Sequence, residues 1–286
     1  MDLTLIIYGI SLGMLYFVLA SGFSMIFGLM GVLNFAHASL FMWAAYLTYS
    51  VYQLTGSILL GIVVSIIIIV IVGALMEIFL IKNIKGSHTN QLLLTYGMIY
   101  IFDELIKIFY GTRAISPAKP DWLSGSLEVF GMTIPIYRLL IIVVGIVVFV
   151  AIELLLNKTK LGMIIQAGTE KPRMVRASGI DISKIFTLTF CLGCALAALA
   201  GGISCFFLGL YPEIGTEQIL NILIVVVIGG IGSFKGSFVA GIIVGVVQYI
   251  VGYYLPSLSM ASAIALMILV LIIKPEGLFE GGAVRE

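Results

Sequence analysis

Between Leu5 and Gly28 the chain carries no charged side chain, and apolar runs of comparable length recur to the end of the sequence. They lie at Phe35 to Leu54, Ser57 to Ile81, Asn90 to Tyr110, Ile136 to Leu156, Ile185 to Leu208, Ser237 to Leu255 and Leu258 to Ile273, with a shorter one at Ile219 to Ile231. Crossing a bilayer core takes about 20 apolar residues in helical form. In lipid, backbone N–H and C=O groups must pair internally, so only helices and closed barrels can span. None of these runs alternates in the ~10-residue segments of a barrel strand. The expectation is an all-α, polytopic transmembrane helical bundle of about eight to nine spans.

Composition agrees. Charged residues are 10% of the 286 and hydrophobic residues 61%, whereas a soluble domain needs about 25% charged residues to cover its surface. Net charge is only +1, so nothing favours nucleic acid as a partner. The first run has no Lys or Arg ahead of it and exceeds the ~7–15 residues of a signal-peptide core, which predicts a retained first span. Placing the N-terminus outside and the C-terminus in the cytosol puts eleven Lys and Arg residues inside and three (Arg113, Lys119 and Arg138) outside, as the positive-inside rule requires. Two connections are long, an outer one over 111–135 and an inner one over 157–183, which is the most polar stretch in the chain.

The stretch Val225 to Phe238, VVVIGGIGSFKGSF, has the look of a phosphate-binding loop. It lacks the βαβ surroundings and the acidic residue of a dinucleotide site, and Lys235 precedes Gly236 where a P-loop has lysine after glycine. The better reading is a short span, a tight turn at Ser233 to Gly236 and a return helix. Glycines four apart let helices approach closely, which marks Gly9 and Gly13, Gly232 and Gly236, and Gly241 and Gly245 as helix-packing positions. Cys191 and Cys194 form a C-x-x-C pair among apolar neighbours and read as small buried helix residues. No His, Cys or carboxylate cluster has metal spacing, no nucleophile set is present, and no cofactor is expected.

In the inner connection, Thr169 to Gly179 reads as one short helix, with Thr169 as its cap, Glu170 at the positive end of its dipole, Pro172 in its first turn and Gly179 as its left-handed stop. Arg173 and Arg176 share a face. Such a helix suits a docking peg, and equally a connector lying on lipid headgroups.

Four stretches resemble the inner-membrane permeases of branched-chain amino acid ABC transporters, the LivH type. Gly31-Val-Leu-Asn-Phe-Ala-His through Tyr46 resembles the family's GxxNFAHGxxxMxGAY. Leu161-Gly162 on to Ile180, with Thr189-Phe190 to Ala200-Gly201, resembles its cytosolic loop and following helix. The glycine stretch is similar to its GGxGSxxG, and Lys274 to Phe279 to its RPxGLFG. The resemblance implies a single transmembrane permease domain over 1–286 in a bacterial or archaeal cytoplasmic membrane, with 157–183 as a cytosolic coupling loop. It further implies a second, LivM-like permease subunit, two ABC ATPase subunits and an extracytoplasmic substrate-binding protein, with membrane lipid around the bundle. The loop contacts the ATPase in that family, which assigns Glu170, Arg173, Arg176 and Gly179 to coupling. Relatives with similar helices carry urea, short amides or aromatic acids.

Candidates for the path follow from the cost of polar groups in a bilayer. Asp103, Glu104 and Lys107 share the fourth span, where Asp103 and Lys107, four apart, can neutralise each other. Asn34 suits a helix cap, and a neutral His37 can bond a neighbouring carbonyl. Asn221, with Gln248 and Tyr249, could line a cavity. The rival readings are a stand-alone ion-coupled carrier using Asp103, Glu104 and Lys107 as its relay, and a membrane-embedded enzyme, which the lack of a catalytic cluster disfavours.

Overall fold

The first apolar run folds as one uninterrupted helix, α1 (Leu3–Met30), stopped where Gly31 takes a left-handed φ of 63°. The computed structural model describes residues 3–84, 88–129, 132–170 and 172–279. After α1 come α2 (His37–Thr55) and α3 (Ile58–Met76), the latter running into a π-helical turn at Glu77–Ile81 and a 3₁₀ turn at Lys82–Ile84. Then follow α4 (His88–Tyr110), the short α5 (Asp121–Ser124), the strands β1 (Ser126–Val129) and β2 (Met132–Pro135), and α6 (Ile136–Lys158). The inner connection holds α7 (Lys160–Glu170) and α8 (Pro172–Ala177). Four more helices complete the described chain: α9 (Ile182–Ser204), α10 (Ile214–Gly229), α11 (Phe234–Tyr254) and, after a 3₁₀ turn at Pro256–Leu258, α12 (Ser259–Ile273).

Among the described residues six helices are long and apolar enough to cross a membrane: α1, α3 with its extension, α6, α9, α11 and α12 with its preceding turn. α10 is apolar but has 16 residues, about 24 Å at 1.5 Å per residue. The two further expected spans, α2 and α4, are full-length helices with more polar sequences. In α4 the cause is Asp103, Glu104 and Lys107. In α2 it is position: the helix is enclosed by α3, α9 and α10, and its Phe41, Met42, Ala44, Ala45 and Tyr46 are wholly buried. A helix whose first half meets mostly protein has less need to be greasy. Conversely, α3 and α6 have the highest mean hydropathy, 3.3 each, and bury only 28% and 22% of it, while α1 at 2.1 buries 67%.

The all-α expectation needs one amendment. β1 and β2 pair antiparallel in the long outer connection, Ser126 opposite Pro135 and Glu128 opposite Thr133, with Ile134 turned inward. Strand-like alternation in Met132-Thr133-Ile134 supports it. The same connection is tied to the α9–α10 segment by paired backbone bonds between Ile115 and Leu210, 2.8 and 2.9 Å.

The glycine stretch turns three residues earlier than expected, at Gly230 to Ser233 and not Ser233 to Gly236. α10 ends at Gly229, the reversal occupies Gly230 (φ 98°) to Ser233, and the Ser233 hydroxyl caps α11 by accepting from the Gly236 N–H at 3.1 Å. Gly232, at φ 80°, therefore lies in the turn and not on a helix face, and Gly236 faces Gly229. Two stretches far apart in sequence meet here. Leu278 N–H donates to Ile228 O at 2.8 Å and Phe279 N–H to Gly229 O at 3.2 Å, so the segment after α12 satisfies carbonyls at the end of α10 that a helix terminus leaves open.

Gly9 and Gly13 of α1 lie against Gly241 and Gly245 of α11. A methyl group on Gly9 would sit 2.5 Å from Val246 Cα, and one on Gly13 2.5 Å from Gly241 O. Here the bundle's closest helix pair has backbone on backbone.

Candidate functional site

Residues 96, 99, 100 and 103 fall on one stripe of α4, and residues 216, 219, 220 and 223 repeat the same spacing on α10. The two stripes face each other across a cavity of about 240 Å³, lined by Tyr96, Ile99, Tyr100 and Asp103, by Thr216, Ile219, Leu220 and Leu223, and by Phe35 from the α1–α2 turn. α4 touches α2 and the π-helical turn only lightly and stands off from α10. The bond that spans the gap runs from Thr216 Oγ1 to Asp103 Oδ2, 3.1 Å. It joins the late end of one stripe to the early end of the other, so the helices run antiparallel and the polar groups gather at one end of the cavity. Asp103 Oδ1 is buried and has no hydrogen-bond partner.

The ion pair expected between Asp103 and Lys107 does not form. Lys107 Nζ bonds Glu104 Oε1 at 2.7 Å on the exposed side of α4, while Thr216, from a distant part of the chain, draws Asp103 to the other face. Spacings of three and four residues both permit a pair on a helix, and a partner on another helix decides between them.

His37 and Asn34 are wholly buried. His37 Nε2 lies 3.2 Å from Leu19 O on α1; a carbonyl only accepts, so Nε2 carries the proton. This is the neighbouring-carbonyl bond that the sequence suggests for a neutral imidazole. Asn34 does not cap α2. Its side-chain Oδ1 and Nδ2 have no hydrogen-bond partner, and Ala36 precedes the helix with no side-chain cap. The turn is closed instead by the Asn34 carbonyl, which accepts from His37 N–H at 3.1 Å.

Asn221 belongs to a separate buried chain of side chains. Its Nδ2 donates to Gln218 Oε1 at 3.1 Å, its Oδ1 accepts from Gln248 Nε2 at 3.3 Å, and Gln248 Oε1 accepts from Tyr16 O–H at 2.7 Å. The network joins α10, α11 and α1, so Asn221 holds helices together and does not border the α4–α10 cavity.

Two polar sites carry a sequence signal that composition alone did not rank. Arg138, two residues into an apolar run, lies over the rings of Tyr8 (3.9 Å), Phe207 (4.9 Å) and Tyr249 (5.0 Å) and donates to Tyr8 O and Ser11 Oγ at 3.3 and 3.2 Å. Glu77, the one charged residue between Ser57 and Ile81, is wholly buried and accepts from Thr187 Oγ1 at 2.6 Å.

The inner connection is built differently from the single helix expected there. Thr169 and Glu170 close α7, and Pro172 opens α8, because proline is suited to the first helical position and disfavours helix in the residue before it. Thr169 is thus no N-cap, and Glu170 sits at a C-terminal end; the side chains of Glu170 and Arg173 lie outside the described residues. Arg176 is exposed in the last turn of α8, and Gly179 (φ 81°) ends it, its N–H donating to Arg176 O at 3.0 Å. Between α7 and α8 runs an open apolar groove of about 580 Å³, with Met163, Ile164, Met174 and Val175 among its walls. Met163 and Met174 are 57% and 64% exposed.

The sequence profile of the family described as "Branched-chain amino acid transport system / permease component" matches residues 5–273. Among curated proteins, the chain is similar to the high-affinity branched-chain amino acid transport system permease protein LivH of Escherichia coli (strain K12), 28% identical over 94% of this chain and 92% of the relative. It is also similar to the corresponding protein BraD of Pseudomonas aeruginosa, 26% identical over 81% of this chain and 80% of the relative. A third relative is the probable branched-chain amino acid transport permease protein LivH of Methanocaldococcus jannaschii, 27% identical over 91% and 87%. No solved structure matches the chain significantly.

Proposed function

Because the chain belongs to the family of branched-chain amino acid transport permease components and has the six apolar helices of a multi-pass membrane protein, we propose that it is the membrane-spanning subunit of an ATP-driven importer. In this reading an extracytoplasmic binding protein delivers a branched-chain amino acid, this chain and a second permease subunit form the path, and two ATPase subunits supply the energy. The N-terminus lies outside and the inner connection faces the cytosol of a bacterial or archaeal cell, which the eleven-to-three charge segregation supports.

The observation that carries the coupling step is the α7–α8 groove. An apolar trough with methionines in its walls, set in the most polar connection of the chain, has the character of an adaptable protein-binding surface. We assign it to the ATPase subunit, with Arg176 and, through their backbone positions in α7 and α8, Glu170 and Arg173 at its margin, and Gly179 setting the angle at which the chain leaves it. Swinging a two-state path from 1:99 to 99:1 takes about 5.5 kcal/mol of differential binding, and nucleotide closure of the ATPase pair supplies it through this contact.

The test is reconstitution of the complete importer in liposomes. ATP-dependent leucine accumulation is expected, and Met163→Glu with Met174→Glu should uncouple it by detaching the ATPase. Leucine accumulation by the permease chain alone, sensitive to a proton uncoupler, would establish the ion-coupled carrier instead.

A further inference from the structure

The cavity between α4 and α10 has one charged end and one greasy end, and both are legible as recognition chemistry. We propose that it is a binding site for an aliphatic α-amino acid, with Asp103 receiving the ammonium group. The inference rests on the transport reading above and adds to it the place where this chain holds its cargo.

Three observations lead there. Asp103 borders the cavity and is not consumed by a cation: Thr216 Oγ1 donates to Oδ2 at 3.1 Å, and Oδ1 is closed off without a hydrogen-bond partner, so a rotation of the carboxylate brings its unpaired oxygen to a ligand. A buried charged oxygen without a partner is costly, and an ammonium donor placed in the cavity removes that cost with a charge-assisted bond. Lys107, the nearest lysine along α4, does not provide it, since its Nζ is bonded to Glu104.

The second observation concerns size and lining. About 240 Å³ is below the ~300–1,000 Å³ of sites for drug-sized ligands and suits a single amino acid. Beyond Asp103, Thr216 and the two tyrosines the walls are Ile99, Ile219, Leu220, Leu223 and Phe35, so a branched side chain directed away from the carboxylate exchanges water or lipid for close apolar contact. A cavity at this depth lined only by aliphatic groups would hold an acyl chain equally well; the carboxylate sets it apart.

Third, the cavity carries a neutral hydrogen-bond donor. The Tyr100 hydroxyl donates to the Tyr96 hydroxyl at 3.4 Å, and both residues line the cavity. In that arrangement the Tyr96 O–H proton remains to be donated. The phenols thus give the cavity a neutral donor for an anionic group, with no fixed cation among its lining residues to attract simple anions.

The experiment uses the complete importer in liposomes. The wild-type importer must first accumulate leucine; if it does not, the transport reading fails before any variant is compared. Given wild-type uptake, Asp103→Asn keeps the shape and removes the charge, and is expected to lower leucine uptake by about tenfold or more, the scale of a lost charged hydrogen bond. Assembly of the complex and its basal ATP hydrolysis should be unchanged. Leu223→Trp, which fills the apolar end, should lower uptake of leucine more than that of alanine. Undiminished leucine uptake in Asp103→Asn overturns the proposal and marks the gap as a lipid-filled seam. Equal loss of leucine and alanine uptake in Leu223→Trp overturns it as well, because the greasy end then does not read the side chain.

Discussion

The α1–α11 seam and the α4–α10 gap are both places where two helices face each other, and they are opposites. In the seam Gly9, Gly13, Gly241 and Gly245 bring the two helices together with main chain against main chain. In the gap, tyrosine, isoleucine and leucine stand on facing stripes, hold the helices apart, and leave a cavity with an aspartate at one end. Lipid supplies no hydrophobic drive for helices to associate, so fit decides where they close and where they stay apart. The bundle is fixed where its residues are smallest, and the room for a ligand lies where they are large.

The sharpest way to break this comparison is to put a methyl group into the seam. Gly13→Ala would set Cβ 2.5 Å from Gly241 O and 2.8 Å from Ile242 Cα, both backbone atoms that cannot rotate away. We expect destabilisation of about 3 kcal/mol, at the upper end for overpacking, seen as a large drop in the midpoint of thermal unfolding in detergent. A smaller loss follows at the turn that positions α11. Gly277 has φ 85° and a methyl there would lie 2.6 Å from Gly230 Cα, so Gly277→Ala should cost about 2 kcal/mol by the left-handed penalty plus the clash, in the same unfolding assay. On the gap side the sign reverses. Gly97 of α4 has nothing within 4 Å of a built Cβ, and Gly97→Ala should stabilise by up to about 1 kcal/mol, the ordinary gain in helix propensity. An equal loss for Gly13→Ala and Gly97→Ala would abolish the distinction. The smallest effect is expected from Glu104→Gln, which breaks an exposed pair with Lys107 outside the cavity's lining. Uptake and unfolding midpoint should both stay close to wild type, as for most exposed ion pairs, and a large loss would move the working carboxylate from Asp103 to Glu104.

The seam was legible in the sequence and the gap was not, for a physical reason. Glycines at a four-residue spacing state a local fact about one helix surface, and Gly9, Gly13, Gly241 and Gly245 meet as that spacing suggests. Which acid pairs with Lys107 is not a local fact. Asp103 and Glu104 both lie within reach of it on α4, and Thr216, more than a hundred residues away, decides the matter by holding Asp103. The Arg138 clamp has the same character, since Tyr8 and Tyr249 come from opposite ends of the chain. Pro172 gave a local signal that fixed a boundary, but only the break between α7 and α8 shows that it opens the second of two helices. The spans were readable where lipid demands apolar surface, as in α3 and α6, and less so in α2, whose neighbours are protein.

The strap of Leu278 and Phe279 across the end of α10 also sets an order of events. The carbonyls of Ile228 and Gly229 are made long before the two N–H groups that satisfy them, since α11 and α12 must be synthesised and inserted in between. Until then the carbonyls at the end of α10 lack these two partners. Completion of the bundle is thus signalled from the far end of the chain, by the arrival of a short stretch that crosses no membrane.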